Sequence, residues 1–232
     1  MRLSMVIPVY NEEMTIGELI DRVTRVNIGD IAMEIIVVND GSTDASAQII
    51  EEHRQLHADL IRVYSMPINL GKGAAIRLGL HYAQGDVILV QDADLELDPN
   101  EYGNQLQPII EGETNVVYGS RLLNAGRRDI PFRTRLANRF LTTVTNLLFG
   151  TRLTDMETAY KVFRREVLHG VRLRCVHFDF EPEITGQLAK RGHRIVEVPI
   201  SYNPRRADEG KKISWVDGIE AIYTLLRVRF AQ

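Results

Sequence analysis

Two carboxylates separated by one residue, Asp92-Ala93-Asp94, follow directly on the apolar run Val87–Val90. Hard divalent cations take oxygen ligands and are commonly held by one or two carboxylates together with phosphate oxygens. Mg2+ or Mn2+ at this pair would bridge a diphosphate and neutralise charge on a departing nucleotide. Glu96, two residues on, is a reasonable third ligand. The alternative is a solvated turn where a strand ends, because the chain is expected to turn at this point. Asp40 closes another β-branched run with Gly41 behind it. A carboxylate there accepts hydrogen bonds from a base or ribose, or it holds its own turn with Ser42. Gly71-Lys72-Gly73 opens a helix and resembles part of a phosphate cradle.

Other chemistry is poorly supported. The Gly71 turn lacks the G-x-x-x-x-G-K-[ST] pattern, and Ile76 occupies the last glycine position of G-x-G-x-x-G. Neither a P-loop nor a dinucleotide-binding turn is present, which disfavours a redox enzyme. His53 and His57 are four apart, but HRQLH has no zincin glutamate and reads as a solvated helix face. There is no G-x-S-x-G, and Cys175 is expected to be a small, partly buried thiol.

These residues need a scaffold that brings them to one edge. Apolar, β-branched runs at Leu3–Val9, Glu34–Asn39, Leu60–Met66, Asp86–Gln91 and Asn115–Tyr118 alternate with amphipathic segments near 12–26, 44–56, 72–83 and 99–111. Such alternation predicts a mostly parallel central sheet flanked by helices, an α/β fold that binds ligands at the carboxyl ends of its strands. Ser42 or Thr43 is the expected cap of the second helix. Further on, residues 132–150 place Phe132, Leu136, Phe140, Val144 and Leu147/Leu148 on one helical stripe, with Arg133, Arg135 and Arg139 interleaved. That helix either lies at a membrane interface or packs into the core. Thr154–Glu157 form a loop, Tyr160–Phe163 an apolar run, and a short helix is expected over Arg164–His169. A helix near 181–191 and a strand at Arg194–Val198 follow. Residues 203–213 read as an exposed basic loop, and a last helix over 214–229 carries Trp215, Ile219, Ile222 and Leu226. With no repeat or linker, residues 1–232 are expected to form a single domain.

The chain has 232 residues and a formal charge of -3, with 44% hydrophobic and 25% charged residues, ordinary globular values. That average conceals a division after Ser120. Residues 1–120 hold seven basic and nineteen acidic residues, a net -12, and residues 121–232 carry +9. One cysteine excludes an intramolecular disulfide and a multi-cysteine zinc site. No apolar run approaches the roughly 20 residues that span a bilayer, and Pro8 and Glu12 come too early for a signal peptide. A soluble or peripheral intracellular protein is expected.

Nine blocks in order, VIPVYNEE, VNDGSTD, NLGKG, QDADLELDP, GSR, TDMETAYKVFRREVL, FDFEPEI, RIVEVPISY and RRADEGKKISWVDG, cover nearly the whole chain. Together they resemble glycosyltransferase family 2, and more closely its polyprenyl-phosphate (dolichyl-phosphate mannosyltransferase-like) hexosyltransferase branch. The resemblance implies one GT-A (Rossmann-like) domain, with residues 1–120 binding the nucleotide-sugar and metal and residues 121–232 binding the acceptor. It implies donor contacts at Pro8, Tyr10, Glu12, Asp40, Lys72, Asp92 and Ala93, and Mg2+ or Mn2+ at Asp92, Asp94 and Glu96. Related enzymes often have Gln at the third position. Arg121 matches an arginine expected near the phosphates of donor and acceptor.

Within that family an acceptor hydroxyl needs a general base, whereas a lipid phosphate is already ionised and attacks directly. The Q-x-x-R-W signature of processive polysaccharide synthases is absent. A phosphate acceptor calls for cations, and Arg121, Arg135, Arg206, Lys211 and Lys212 are the candidates. The expected reaction is inverting transfer of a hexose from GDP-mannose or UDP-glucose to a polyprenyl or dolichyl phosphate. Asp94 and Arg121 act at the reacting centre, and Asp155 shapes the acceptor side or orients the sugar. Two alternatives stay open: transfer to a glycan or soluble hydroxyl with Asp155 or Glu157 as base, and a non-catalytic nucleotide-sugar-binding subunit. The expected location is cytoplasmic and peripheral to the membrane, with a separate membrane subunit as one arrangement and no nucleic-acid partner.

Overall fold

Seven apolar runs assemble into one sheet in the order β3-β2-β1-β4-β6-β5-β7 in a computed structural model that describes residues 1–123, 130–204 and 215–231. The strands are β1 Arg2–Val9, β2 Ala32–Asn39, β3 Ile61–Ser65, β4 Val87–Val90, β5 Val116–Ser120, β6 Lys161–Arg164 and β7 Ile195–Pro199. The helices are α1 Ile16–Thr24, α2 Ser46–Leu56, α3 Lys72–Tyr82, α4 Tyr102–Ile110, α5 Phe132–Phe149, α6 Phe180–Lys190 and α7 Trp215–Phe230. Every expected strand and helix of the first half is present, with shifts of a few residues at the ends. The expected helix at 164–169 is a short 3-10 turn, Arg165–Leu168.

Alternation along the strands builds two cores. Leu3, Met5, Ile7 and Val9 of β1 point into one layer with Ile35 and Val37, where the α1 stripe Ile16, Leu19, Ile20 and Val23 covers them. Val6, Ile36, Val38, Ile88 and Val90 point to the opposite layer, under α3, α5, α6 and α7. Strands covered on both faces read as continuous apolar runs. Each fully buried Val, Leu or Ile contributes roughly 1.5–3 kcal/mol.

All pairings are parallel except those of β6, which runs antiparallel between β4 and β5. Lys161, its first residue, is in register with Val90, the last of β4, and with Tyr118 of β5. This inversion delivers the loop 154–160 to the edge where β4 ends in Asp92-Ala93-Asp94. The parallel strand β7 carries Tyr202 to the same rim.

The expected cap of α2 is corrected. Helix α2 begins at Ser46, beyond Ser42 and Thr43, and the Asp44 carboxylate accepts from the Ser46 amide. Ser42 instead accepts from the Asn11 amide, and Asn11 holds a left-handed φ of 51°.

Candidate active site

Beside the carboxyl edge of the sheet lies a cavity of about 730 Å3, a size that suits a small-molecule ligand. One side is built by Pro8 near the end of β1, Tyr10 and Glu12 after it, Asp40 after β2, Lys72 at the start of α3, and Asp92, Ala93, Asp94 and Glu96 after β4. The other side is built by Arg121, Glu157, Glu181 and Tyr202 and by the apolar Phe140, Leu141, Ile219 and Ile222 of α5 and α7. All the residues expected to contact the donor therefore share one lining. The first turn is closed by the Thr15 hydroxyl, which lies 2.9 Å from Glu12 Oε2 and 3.0 Å from the Ala93 carbonyl oxygen.

Several side chains do something other than the sequence suggests. Asp40 is buried, and its oxygens accept from Asn69 Nδ2 at 3.1 Å and from the Leu70 and Gly71 amides at 2.8 Å each. It fastens the loop 69–71 to the end of β2, and its partner is not Ser42. The expected phosphate cradle at Gly71-Lys72-Gly73 is also overturned. The Gly73 and Ala74 amides, which a helix start would offer to an anion, donate to the carbonyls of His177 and Val176. Gly73 serves close approach, because a Cβ there would sit 2.9 Å from Cys175 C and Val176 N. Lys72 itself faces the cavity. Its Nζ is 2.8 Å from Asp92 Oδ1, 3.0 Å from Asp92 Oδ2 and 2.9 Å from Glu181 Oε1. Burial works against the ammonium, but the two carboxylates outweigh it and hold the lysine charged.

Asp155 is fully buried and grips Arg121 from three directions: the Arg121 amide at 3.0 Å, Nε at 2.7 Å and Nη2 at 2.7 Å. Asn138 of α5 donates at 2.7 Å to Asp155 Oδ1, the oxygen that also accepts from Arg121 Nη2. Against the penalty of burial, the guanidinium and these donors keep its carboxyl below the usual aspartate range. A carboxylate so committed is a positioning group and not a proton acceptor at neutral pH. Arg121 also lies over the Tyr202 ring at 5.3 Å, and its Nη1 makes no hydrogen bond to a described residue.

Glu157, two residues further on, behaves differently. Its Oε1 is buried without a hydrogen-bond partner, and burial together with nearby Glu181 pushes the carboxyl up to about 7. Lys161 is buried beneath it, donates to the carbonyls of Met156 and Thr158, and sits 4.2 Å from the Tyr118 ring centre. Burial pushes its ammonium down to about 8. Glu181 and Lys161 escaped the sequence reading, because each acquires meaning only from distant partners. The order of blocks FDFEPEI and TDMETAYKVF was their only signal.

Asp92 and Asp94 present hard oxygen donors with no sulfur or imidazole among them, the chemistry that suits Mg2+ or Mn2+. Glu96 lines the same cavity, next to Tyr202, whose hydroxyl pKa burial and then the Glu96 charge push up. Among the described residues no three acidic, imidazole or thiol groups form a ready cage for a metal. The arrangement therefore fits a cation held by one or two carboxylates, with its remaining positions filled by phosphate oxygens.

Of the expected acceptor cations, Arg121 reaches the cavity. Arg135 lies on α5 beyond the lining, with its guanidinium 5.7 Å from the Phe132 ring centre. Arg206, Lys211 and Lys212 fall outside the described residues. Much of the α5 stripe faces outward: Phe132, Leu136, Phe140 and Leu147 are exposed, but Val144 and Leu148 pack partly buried against the core, and Asn138, Leu141, Thr142 and Thr145 are buried. Helix α7 adds exposed Ile219, Tyr223, Leu226 and Phe230. No described helix is long and apolar enough to cross a membrane.

Comparison with known proteins supplies a family and a fold. The family described as glycosyl transferase family 2 matches residues 4–172. An undecaprenyl-phosphate 4-deoxy-4-formamido-L-arabinose transferase of Proteus mirabilis is 29% identical over 97% of the chain and 67% of its own length. A polyprenol monophosphomannose synthase of Mycolicibacterium smegmatis is 29% identical over 90% of the chain and 80% of its own. Among solved structures, glucosyl-3-phosphoglycerate synthase of Mycobacterium tuberculosis, in complex with Mn2+, UDP and phosphoglyceric acid, superposes with a TM-score of 0.72 at 23% identity. It covers all of this chain and 79% of its own. At that identity the likeness is one of fold.

Proposed function

The chain belongs to glycosyl transferase family 2, and on that premise we propose that it transfers a hexose, with inversion, from a nucleoside diphosphate-sugar to the phosphate of a polyprenyl phosphate. The observation that carries this reading is the two-sided cavity. Carboxylates and Lys72 line one side, and the other pairs Arg121 with apolar α5 and α7 residues that continue onto an exposed apolar face. A charged head joined to a hydrocarbon chain matches that second side. The related formamido-arabinose transferase and monophosphomannose synthase, both named for polyprenyl acceptors, support it.

In this mechanism a phosphate oxygen of the acceptor attacks the anomeric carbon as the bond from that carbon to the donor diphosphate breaks. The phosphate is largely ionised at neutral pH and needs no protein base. Arg121, locked by Asp155, holds an oxygen of the acceptor phosphate or of the departing diphosphate. Asp92 and Asp94 would hold Mg2+ or Mn2+, which when bound neutralises charge on the leaving group. Asp40, Pro8, Tyr10 and Glu12 form the nucleoside end. GDP-mannose and UDP-glucose are the donors to compare. The exposed apolar face of α5 and α7, flanked by exposed Arg133, Arg139 and Arg229, docks on an anionic membrane surface and admits the lipid chain.

A second reading has a specific observation in its favour. Glu157, in the lining and raised to about 7, has the pKa of a general base for a hydroxyl acceptor. Replacement E157Q decides between them. Loss of a catalytic base costs about 100-fold to 10,000-fold in kcat, whereas phosphate transfer keeps its rate within about tenfold.

A further inference from the structure

Lys72 sits where helix physics disfavours it. A cation in the first turn of a helix meets the positive end of the helix dipole, and Lys72 is the first residue of α3. It is held there by carboxylates from two other elements, Asp92 after β4 and Glu181 in the first turn of α6, at 2.8–3.0 Å. The ammonium hydrogen-bonds Asp92 Oδ2 and lies at ion-pair distance from Oδ1, which is buried without a hydrogen-bond partner, and Asp92 is one of the two carboxylates assigned above to the divalent cation. A divalent ion on Asp92 and an ammonium within 3 Å of the same oxygens repel each other strongly in so enclosed a site. Asp92 therefore serves one cation fully at a time. Glu181 gives Lys72 a second anchor, and a diphosphate would supply further acceptors that draw the ammonium off Asp92.

We infer that Lys72 occupies Asp92 in the donor-free protein and so makes binding of the divalent cation conditional on a nucleoside diphosphate. Cation and donor then load as a unit, and the empty site does not collect free cations. The inference rests on the metal reading above. It assigns to Lys72 a positioning role set by competition for one carboxylate.

The test measures Mn2+ affinity by electron paramagnetic resonance, without nucleotide and with GDP or UDP in separate arms, for wild type, K72M and E181Q. Thermal melts establish that each variant is folded. Wild type is expected to bind Mn2+ weakly alone and at least tenfold more tightly with one nucleotide. K72M alone is expected to bind Mn2+ about tenfold more tightly than wild type alone, with a correspondingly smaller effect of nucleotide. E181Q, which leaves Lys72 wholly on Asp92, is expected to weaken Mn2+ binding in the absence of nucleotide. The same coupling must appear in nucleotide affinity with and without Mn2+. K72M binding Mn2+ no more tightly than wild type, or E181Q binding it more tightly, overturns the inference alone. Absence of Mn2+ binding in every arm overturns it together with the metal reading.

Discussion

Asp155 and Glu157 stand two residues apart in one loop, yet their environments drive them in opposite directions. Asp155 is ionised and clamped to Arg121, so D155A strands a buried guanidinium and should cost about 3–5 kcal/mol of stability. D155N keeps the shape and should fold, with transfer activity reduced more than donor binding, as a titration with nucleotide-sugar would record. Its depressed carboxyl stabilises the fold above the ordinary aspartate pKa of 3.8, and that contribution disappears as pH falls through the lowered native value. Glu157 has the opposite sign. The native state keeps its proton up to about 7 while the unfolded chain releases it near 4.5, so stability falls as pH rises between those values. Thermal melts of E157Q should therefore exceed wild type at pH 8 and match it near pH 4. The sequence exhibits both carboxylates but not this division, because it depends on Arg121 and Asn138 meeting one and Glu181 the other.

At the scale of elements, the strands are legible because β-branched runs covered on both faces leave an unbroken apolar signature. The orientation of α5 is not. Periodicity defines its stripe of Phe132, Leu136, Phe140, Val144 and Leu147/Leu148 without saying which part meets the protein, and only Val144 and Leu148 of it pack against the core. The buried side turns out to be Asn138, Leu141, Thr142 and Thr145, tied into the 153–156 loop by hydrogen bonds such as Asn138 to Asp155 and Met156 N to Thr142 Oγ1. L136E with L147E should thus shift stability by no more than about 0.5 kcal/mol per site, while L141A costs about 2–5 kcal/mol. The same charged pair should lower sedimentation with anionic vesicles and transfer to polyprenyl phosphate, and the wild-type association should weaken with salt. The NLGKG segment teaches a related lesson. Its glycines suggest a phosphate cradle, yet Gly73 exists so that α3 can abut residues 175–177. G73A should destabilise by about 1–3 kcal/mol through overpacking, read as a lowered unfolding midpoint.

For the whole molecule, the division of charge along the chain corresponds to topology. The acidic first 120 residues supply β1 to β5, and the basic remainder supplies α5 and α7 and the strand β6 that inserts backwards into the sheet. That insertion could not be read from a run of four strand residues, since nothing local in Lys161–Arg164 specifies a position between β4 and β5. Of the acidic residues of the first half, Glu12, Asp40, Asp92, Asp94 and Glu96 meet the cavity, while Glu34 pins strand ends by hydrogen bonds with Ser4 and the Gln84 and Gly85 amides. The central claim is that this cavity joins a sugar to a lipid phosphate. It is tested most directly by incubating the protein with Mn2+, polyprenyl phosphate and, in parallel, GDP-mannose or UDP-glucose, and determining the product and its anomeric configuration. The account predicts a hexosyl polyprenyl phosphate of inverted configuration from one donor, lost in D94A and retained in E157Q. Transfer only to saccharide hydroxyls, with activity abolished in E157Q, would contradict it.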